Sequence, residues 1–551
     1  MRTTRLLATF GLVLMVSFGS AQTSSSDFPP EGLLQRITAN GLRAHMAFFA
    51  DDLVEGRGTG TRGYQLAANY VRAQFEAMGL KPAGVNGSYF QTVRFRRIEL
   101  LRDKSSFVVK PKNDSTRTLI IEKDYVMGGD PLSADTTAEG QVVFVGYGVS
   151  APEFQYDDYA GADVRGKIVA ALYGAPPKMP SAPGAHFSST EQKLRVAAEH
   201  GAIGYISIWA GKTEQRTPFS EYVRFTRGPA LRWLDEKGAP NDAEPSIRGS
   251  ARISSSTAAL LFEGSTKSWK DALRDAESSQ PQAFPLAASV TMHIVSRYSE
   301  AESPNVAAIL PGSDPQLKSE YVAFTAHLDH LGIGDPVKGD SIYNGAADNA
   351  SGTSALLEMA RAFSELRPAP RRSLLFIAVT GEEEGLLGSD YYAQNPTVPI
   401  QQVVADINMD EVSFLYDFKD IVPLGAEHSS LGTVADDVAR HMGLIVSPDP
   451  LPEEVYFVRS DQYSFILQGV PSLYVEEGLQ TVNPNLDGKK MQFDWEVQRY
   501  HQPSDDMSQP FDFNATVKCT RVDLAVGYDV AQQTERPHWN AGDFFNKFRK
   551  K

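Results

Sequence analysis

Between Tyr321 and Asp410 the chain alternates apolar runs with helical patterns, and each apolar run stops on side chains that can bind metals. Tyr321 to Ala326 ends at His327 in HLDH, Ser373 to Thr380 ends at GEEEGLLGS from Gly381, and Gln402 to Asn408 ends at NMD, which closes on Asp410. Short apolar runs bounded in this way read as buried strands. Gly352 to Leu366 carries Leu356, Met359, Ala360 and Phe363 on one helical face, and a second helix is expected from about Gly385 to Gln394. Such alternation implies an α/β fold, a mainly parallel sheet with helices on both faces. Ligands of such sheets bind beyond the C-terminal strand ends, where three of the candidate segments fall.

Five side chains, His327, Asp348, Glu383, Asp410 and His501, are of the types that hold zinc through nitrogen and oxygen. Asp348 lies among small residues (GAADNASG), which let metals approach closely and let one carboxylate bridge two ions. Glu382 sits beside a candidate ligand and could move protons. His327 and Asp329, one residue apart on an extended strand, face the same side, so one can bind metal while the other supports it. Singly, each has a commoner explanation. Asp348 could cap a helix, the glutamates could complement a helix dipole, and His501 could be a surface histidine. Together, on successive strand ends and loops, they match what two metals sharing one carboxylate require for activating water. The two histidines favour zinc over calcium.

The chain has 551 residues, which implies more than one folded unit. Arg2 and Arg5, an apolar run from Leu6 to Phe18 and Gly19-Ser20-Ala21 read as a signal peptide over residues 1–21, hence a secreted or periplasmic protein. No later stretch is apolar enough to span a bilayer. The single cysteine, Cys519, excludes an internal disulfide, and a net charge of −15 disfavours nucleic acid as a partner. Amphipathic helices are expected over Leu33 to Phe49 and Tyr64 to Met78, separated by the Gly-rich DDLVEGRGTGTRG. From Phe107 to Ile121 the pattern is strand and turn. A distinct unit starts near Ala138 with short buried strands and the helix–turn–strand EQKLRVAAEHGAIGYISIW; Ala175 to Ala185, rich in Pro and Gly, reads as a loop.

HLDHLG, GDSIYNGAADNASG, GEEEGLLGS, NMD and YH, in that order, resemble the dinuclear zinc aminopeptidases, secreted bacterial leucyl-type exopeptidases related to glutamate carboxypeptidase. Leu53 to Gly63 resembles that family's N-terminal region, and DDYAGADVRGKIVAAL with AAEHGAIGYI resembles a protease-associated domain. The resemblance implies a zinc-exopeptidase fold with a β-rich insert. Residues 22–130 and 286–551 would form the peptidase domain, and 131–285 the protease-associated domain. It implies two zinc ions, with Asp348 bridging, His327 and Asp410 on one, and Glu383 and His501 on the other. Glu382 becomes the general base, Asp329 orients His327, Tyr500 stabilises the oxyanion, and the Asp348–Asn349 peptide bond is cis. Gln462 departs from the family, which often carries histidine there, and bears on specificity. Arg459 is present, but the metal-binding segments show no clear basic cluster. Peptides with a free N-terminus are therefore the expected substrates. A carboxypeptidase or dipeptidase is the alternative, and a non-catalytic receptor is the alternative of another class.

Overall fold

A computed structural model describes residues 28–112, 115–278, 283–452 and 454–549; the signal-peptide reading of residues 1–21 lies outside them. The larger of the two main sheets has four parallel strands at its centre, in the order Ser373–Val379, Tyr321–His327, Val403–Asn408 and Ser472–Glu477. Antiparallel strands flank them. Asp420–Leu424 pairs with Ser472–Glu477 on one side; on the other, Phe284–Leu310 pairs with Ser373–Val379 and Phe90–Leu100 pairs with it in turn. The class is α/β with a mixed, centrally parallel sheet.

Period-two alternation explains why this sheet is covered on both faces. Val322, Phe324 and Ala326 point into a helical layer that includes Ala39–Phe49, Gly352–Ser364 and Phe513–Gln532. Ala323, Leu375, Ile377 and Val379 point the other way, onto Tyr392 and Phe465. Full burial of side chains such as Phe324 and Phe376 stabilises by about 2 kcal/mol each.

A second sheet lies in the inserted unit. Asp135–Phe144, Ile168–Leu172, Gly204–Trp209 and Ser250–Ser254 run parallel in that order, and Ser106–Lys110 joins through Phe284–Leu310. That 27-residue strand belongs to both sheets, pairing with the insert through residues 284–295 and with the larger sheet from Ser296.

Two helical expectations need correction. The run from Leu33 to Phe49 is two helices, Glu31–Leu34 and Ala39–Phe49, because the Thr38 side chain accepts from Gly41 N and caps a new start. Within Ala175 to Ala185, Ser181–Ser188 is helical, since Pro183 sits in the first turn, where its missing N–H costs nothing.

Candidate active site

The site forms where the parallel strands end. His327 is the last residue of its strand, Glu382 and Glu383 follow Ser373–Val379 closely, and Asp410 lies two residues beyond Asn408. Asp348 arrives on a tight turn, residues 346–351, that leads into Gly352–Ser364. Gly345 makes this turn possible. It has φ +59°, and a Cβ there would collide with the Asp348 carbonyl and the His330 ring. The Asp348–Asn349 bond is cis.

Distant segments hold that turn. The buried Arg57 guanidinium donates to the carbonyls of Asn344 (2.6 Å), Gly345 (2.9 Å) and Leu328 (2.9 Å), and also to that of Phe49. The Asp505 carboxylate accepts from the main-chain N–H of Ala347 at 3.0 Å and of Asp348 at 3.1 Å. Charge-assisted bonds of this kind are among the strongest available. Neither residue carried a sequence signal for this work.

The five expected ligands converge. His327 Nε2 lies 3.0 Å from Asp410 Oδ1 and 3.3 Å from Asp348 Oδ1. His501 Nε2 lies 3.1 Å from Asp348 Oδ2 and 3.1 Å from Glu383 Oε2. The two oxygens of Asp348 thus face two different clusters. Atoms bound tetrahedrally to one zinc at about 2.05 Å stand about 3.3 Å apart, so these spacings fit zinc coordination.

Asp329 meets His327 differently from expectation. Its main-chain carbonyl lies 3.1 Å from His327 Nδ1, whereas its carboxylate is 4.0 Å away. That carboxylate instead accepts from Thr59 Oγ1 (3.0 Å) and the N–H groups of Glu382 (3.2 Å) and Glu383 (3.3 Å), pinning the glutamate loop. The Ser460 hydroxyl donates to Asp410 Oδ2 at 2.7 Å, and Gln462 accepts from Asn408 at 2.8 Å. Tyr500 stacks on His501 with ring centres 3.9 Å apart. His330, the last residue of HLDH, places its Nδ1 2.6 Å from Glu383 Oε1.

Acids dominate the electrostatics around both imidazoles. Burial opposes protonation of His327, yet Asp410, Glu382 and Asp348 drive its pKa well above the ordinary imidazole value. For His501 burial is likewise overridden by Glu383 and Asp348. Burial also raises Asp348, but His330, His327 and His501 pull it well below the carboxylate range. A cation bound between these groups would offset the acids.

His327, Asp348, Glu382 and Asp410 line a cleft of about 250 Å³. Its walls include Phe414, Tyr456, Tyr474, Trp495 and Tyr500, and the acids Glu411, Glu454, Glu476 and Glu496. Arg459 is the one cationic lining residue; it lies 3.6 Å from Glu454 and over the Tyr456 ring. Among the described residues no helix is long and apolar enough to cross a membrane.

Residues 305–527 match Peptidase family M28. A probable zinc metalloprotease of Pyrenophora teres f. teres is 27% identical over 268 residues, covering 44% of this chain and 53% of that protein. Aminopeptidase NAALADL1 of Mus musculus is 32% identical over 134 residues, 23% of this chain and 16% of that one. The chain therefore spans about half the length of the first of these relatives and less of the second. Among solved structures, an aminopeptidase from Aneurinibacillus sp. strain AM-1 superposes with a TM-score of 0.51 at 18% identity, over 92% of this chain and 96% of that one. That likeness is one of fold.

Proposed function

Starting from residues 305–527, which belong to Peptidase family M28, we propose that this protein is a zinc aminopeptidase acting on peptides with a free N-terminus. His327 and Asp410 would hold one zinc, Glu383 and His501 a second, and Asp348 would bridge them. Zinc bound there supplies Lewis-acid polarisation of the scissile carbonyl and makes water nucleophilic near neutral pH.

The chain's own groups carry the proton traffic. Glu382 takes the proton of the attacking water and returns it to the leaving amine. Burial raises its pKa well above the carboxylate range; His327 opposes this in part, and Asp410, Glu383 and Asp461 reinforce it. A carboxylate so placed accepts a proton more readily than a free one. The Tyr500 hydroxyl donates to the developing oxyanion. Asp329 fixes the main chain of both glutamates, so base and ligand keep their separation. A leader over residues 1–21 would export the protein. Residues 131–285, read as a protease-associated domain, would buttress the cleft.

The single observation carrying this reading is the sharing of Asp348 between two donor clusters at zinc-like spacing. The substrate's polarity rests on the cleft lining, where acids suited to an α-ammonium outnumber one arginine already facing Glu454. The test is elemental analysis together with hydrolysis of aminoacyl-anilides and N-blocked peptides, with and without a chelator. Two zinc ions per chain and chelator-sensitive cleavage of the free-amine substrates are expected. Preference for N-blocked peptides would favour the carboxypeptidase alternative, and a zinc-loaded protein inert toward both would favour a non-catalytic receptor. Asp348→Ala should lose both zinc ions; two retained per chain would exclude the bridge.

A further inference from the structure

Resting on the two-zinc reading above, we propose that His330 is a positioning residue for the second metal site, holding Glu383 so that a single carboxylate oxygen faces the ion. His330 is only 1% exposed. Its Nδ1 lies 2.6 Å from Glu383 Oε1, while Glu383 Oε2 lies 3.1 Å from His501 Nε2. One oxygen is thus capped by a ring nitrogen, and the other is turned toward the ligand cluster.

His330 also stands close enough to Asp348 and Glu383 to be counted with them as a ligand itself. Bond geometry decides between the roles. Two atoms each about 2.05 Å from zinc and 2.6 Å apart subtend only about 80° at the metal, far from tetrahedral. The same bond lengths with the 3.1 Å spacings around His501 give about 100°. The His330–Glu383 distance is a hydrogen-bond length, and His501 is the imidazole placed as a ligand.

The other ring nitrogen agrees. His330 Nε2 is buried and has no hydrogen-bond partner. A proton on Nε2 would leave the Nδ1 lone pair facing a carboxylate oxygen at 2.6 Å, so the proton is assigned to Nδ1, where Glu383 accepts it. The ring sits in space that Gly345 leaves free, since a Cβ there would lie 2.5 Å from it, and the His330 main-chain N–H donates to Arg57 O at 3.3 Å.

The test compares zinc-loaded wild type with His330→Ala and His330→Asn by chelator competition and elemental analysis. In His330→Ala the second zinc should be lost at 10–100-fold lower chelator strength, the usual range for an outer partner of a metal ligand. The first zinc should stay as tight as in wild type, and its retention shows that the variant is folded. Asn can place an amide N–H near the Nδ1 position but is a poor zinc ligand, so His330→Asn should recover most of the lost affinity. Unchanged affinity in His330→Ala would overturn the proposal, as would equal loss of both ions. So would an Asn variant as weak as Ala, which would make His330 a direct ligand. Wild type holding fewer than two zinc ions would instead remove the two-metal reading itself.

Discussion

Lys193 in the inserted unit and His327 at the end of the larger sheet are both buried titratable groups, but their surroundings answer them in opposite ways. Lys193 Nζ donates to the carbonyls of Leu172 at 2.9 Å and Gly174 at 2.6 Å, so main chain at the end of a strand satisfies it. Asp158 nearby accepts from the N–H groups of Tyr147 and Val149 and from the Tyr156 hydroxyl. Arg252 lies over the rings of Tyr173, Tyr222 and Trp209, 4.6–5.4 Å from their centres. These three charges of the insert are answered locally, by main chain, by a tyrosine hydroxyl or by aromatic faces. At the larger sheet, acids and imidazoles face one another across two clusters that share a carboxylate. Buried charge in the insert is met by its own surroundings, whereas at the strand ends it is gathered into clusters that share Asp348.

If that contrast is right, substitutions in the two regions separate cleanly into rate and stability. The largest effect is expected at Glu382. Glu382→Gln keeps size and hydrogen bonding but removes the base. The catalytic rate should fall by roughly 100- to 10,000-fold, while zinc content and thermal stability stay at wild-type values. Elemental analysis and steady-state kinetics read both quantities from one preparation. Activity within a few-fold of wild type would mean that another group takes the proton.

Lys193 sharpens the contrast from the other side. Burial lowers its pKa to about 7, Asp158 opposes this and Arg252 adds to it. The folded-state pKa therefore lies below the unfolded value near 10.5. Below about pH 7 both states carry the proton and folding bears the full burial penalty. Between about 7 and 10.5 only the unfolded chain binds it, so stability rises with pH, by at most about 1.4 kcal/mol per unit from this one group. Lys193→Met should remove that rise. Urea midpoints from pH 7 to 9 should converge between wild type and variant as pH increases, with hydrolysis rates alike at pH 7. A constant difference between the two curves would show that Lys193 is charged in the folded protein at both ends of the range.

The parts of this arrangement that were legible from sequence share one property: their signals are local. A β run that stops at an acid or histidine marks a strand end, and in a parallel sheet that mark also gives the position of the site. His327, Glu383 and Asp410 were therefore placed by pattern. The parts that were not legible act across the chain. Arg57 and Asp505 brace the Asp348 turn from segments that no short-range pattern ties to it. Nothing in the sequence of Phe284–Leu310 says that this strand serves two sheets. His330 failed for a subtler reason: it lies beyond the ladder that ends at His327, so strand periodicity no longer predicts where its ring points.

The smallest effect tests whether the two regions are as separate as their charges suggest. Helix Ser181–Ser188 of the insert reaches the segment that lines the cleft. The Ser181 hydroxyl donates to Pro452 O, His186 Nδ1 meets the Tyr463 hydroxyl at 2.5 Å, and Arg216 pairs with Glu454 at 2.7 Å. Behind them Phe544 and Phe548 pack on His186, and Phe545 packs on Phe457. The same segment carries Tyr456 and Arg459 of the cleft wall and Ser460, which donates to Asp410. Burial and the neighbouring Lys547 lower the His186 pKa to about 4, with Glu153 opposing, so the ring stays neutral and the Tyr463 bond persists across neutral pH. Tyr463→Phe removes one neutral hydrogen bond, about 1 kcal/mol of positioning. KM should rise by roughly two- to tenfold with kcat and zinc content unchanged, because a wall moves and the metal ligands do not. The shift should be larger for longer peptides, which reach further along that wall. An unchanged KM would make the insert a passenger at the cleft, and a fall in kcat would show that the wall positions Asp410 through Ser460 as well as the substrate.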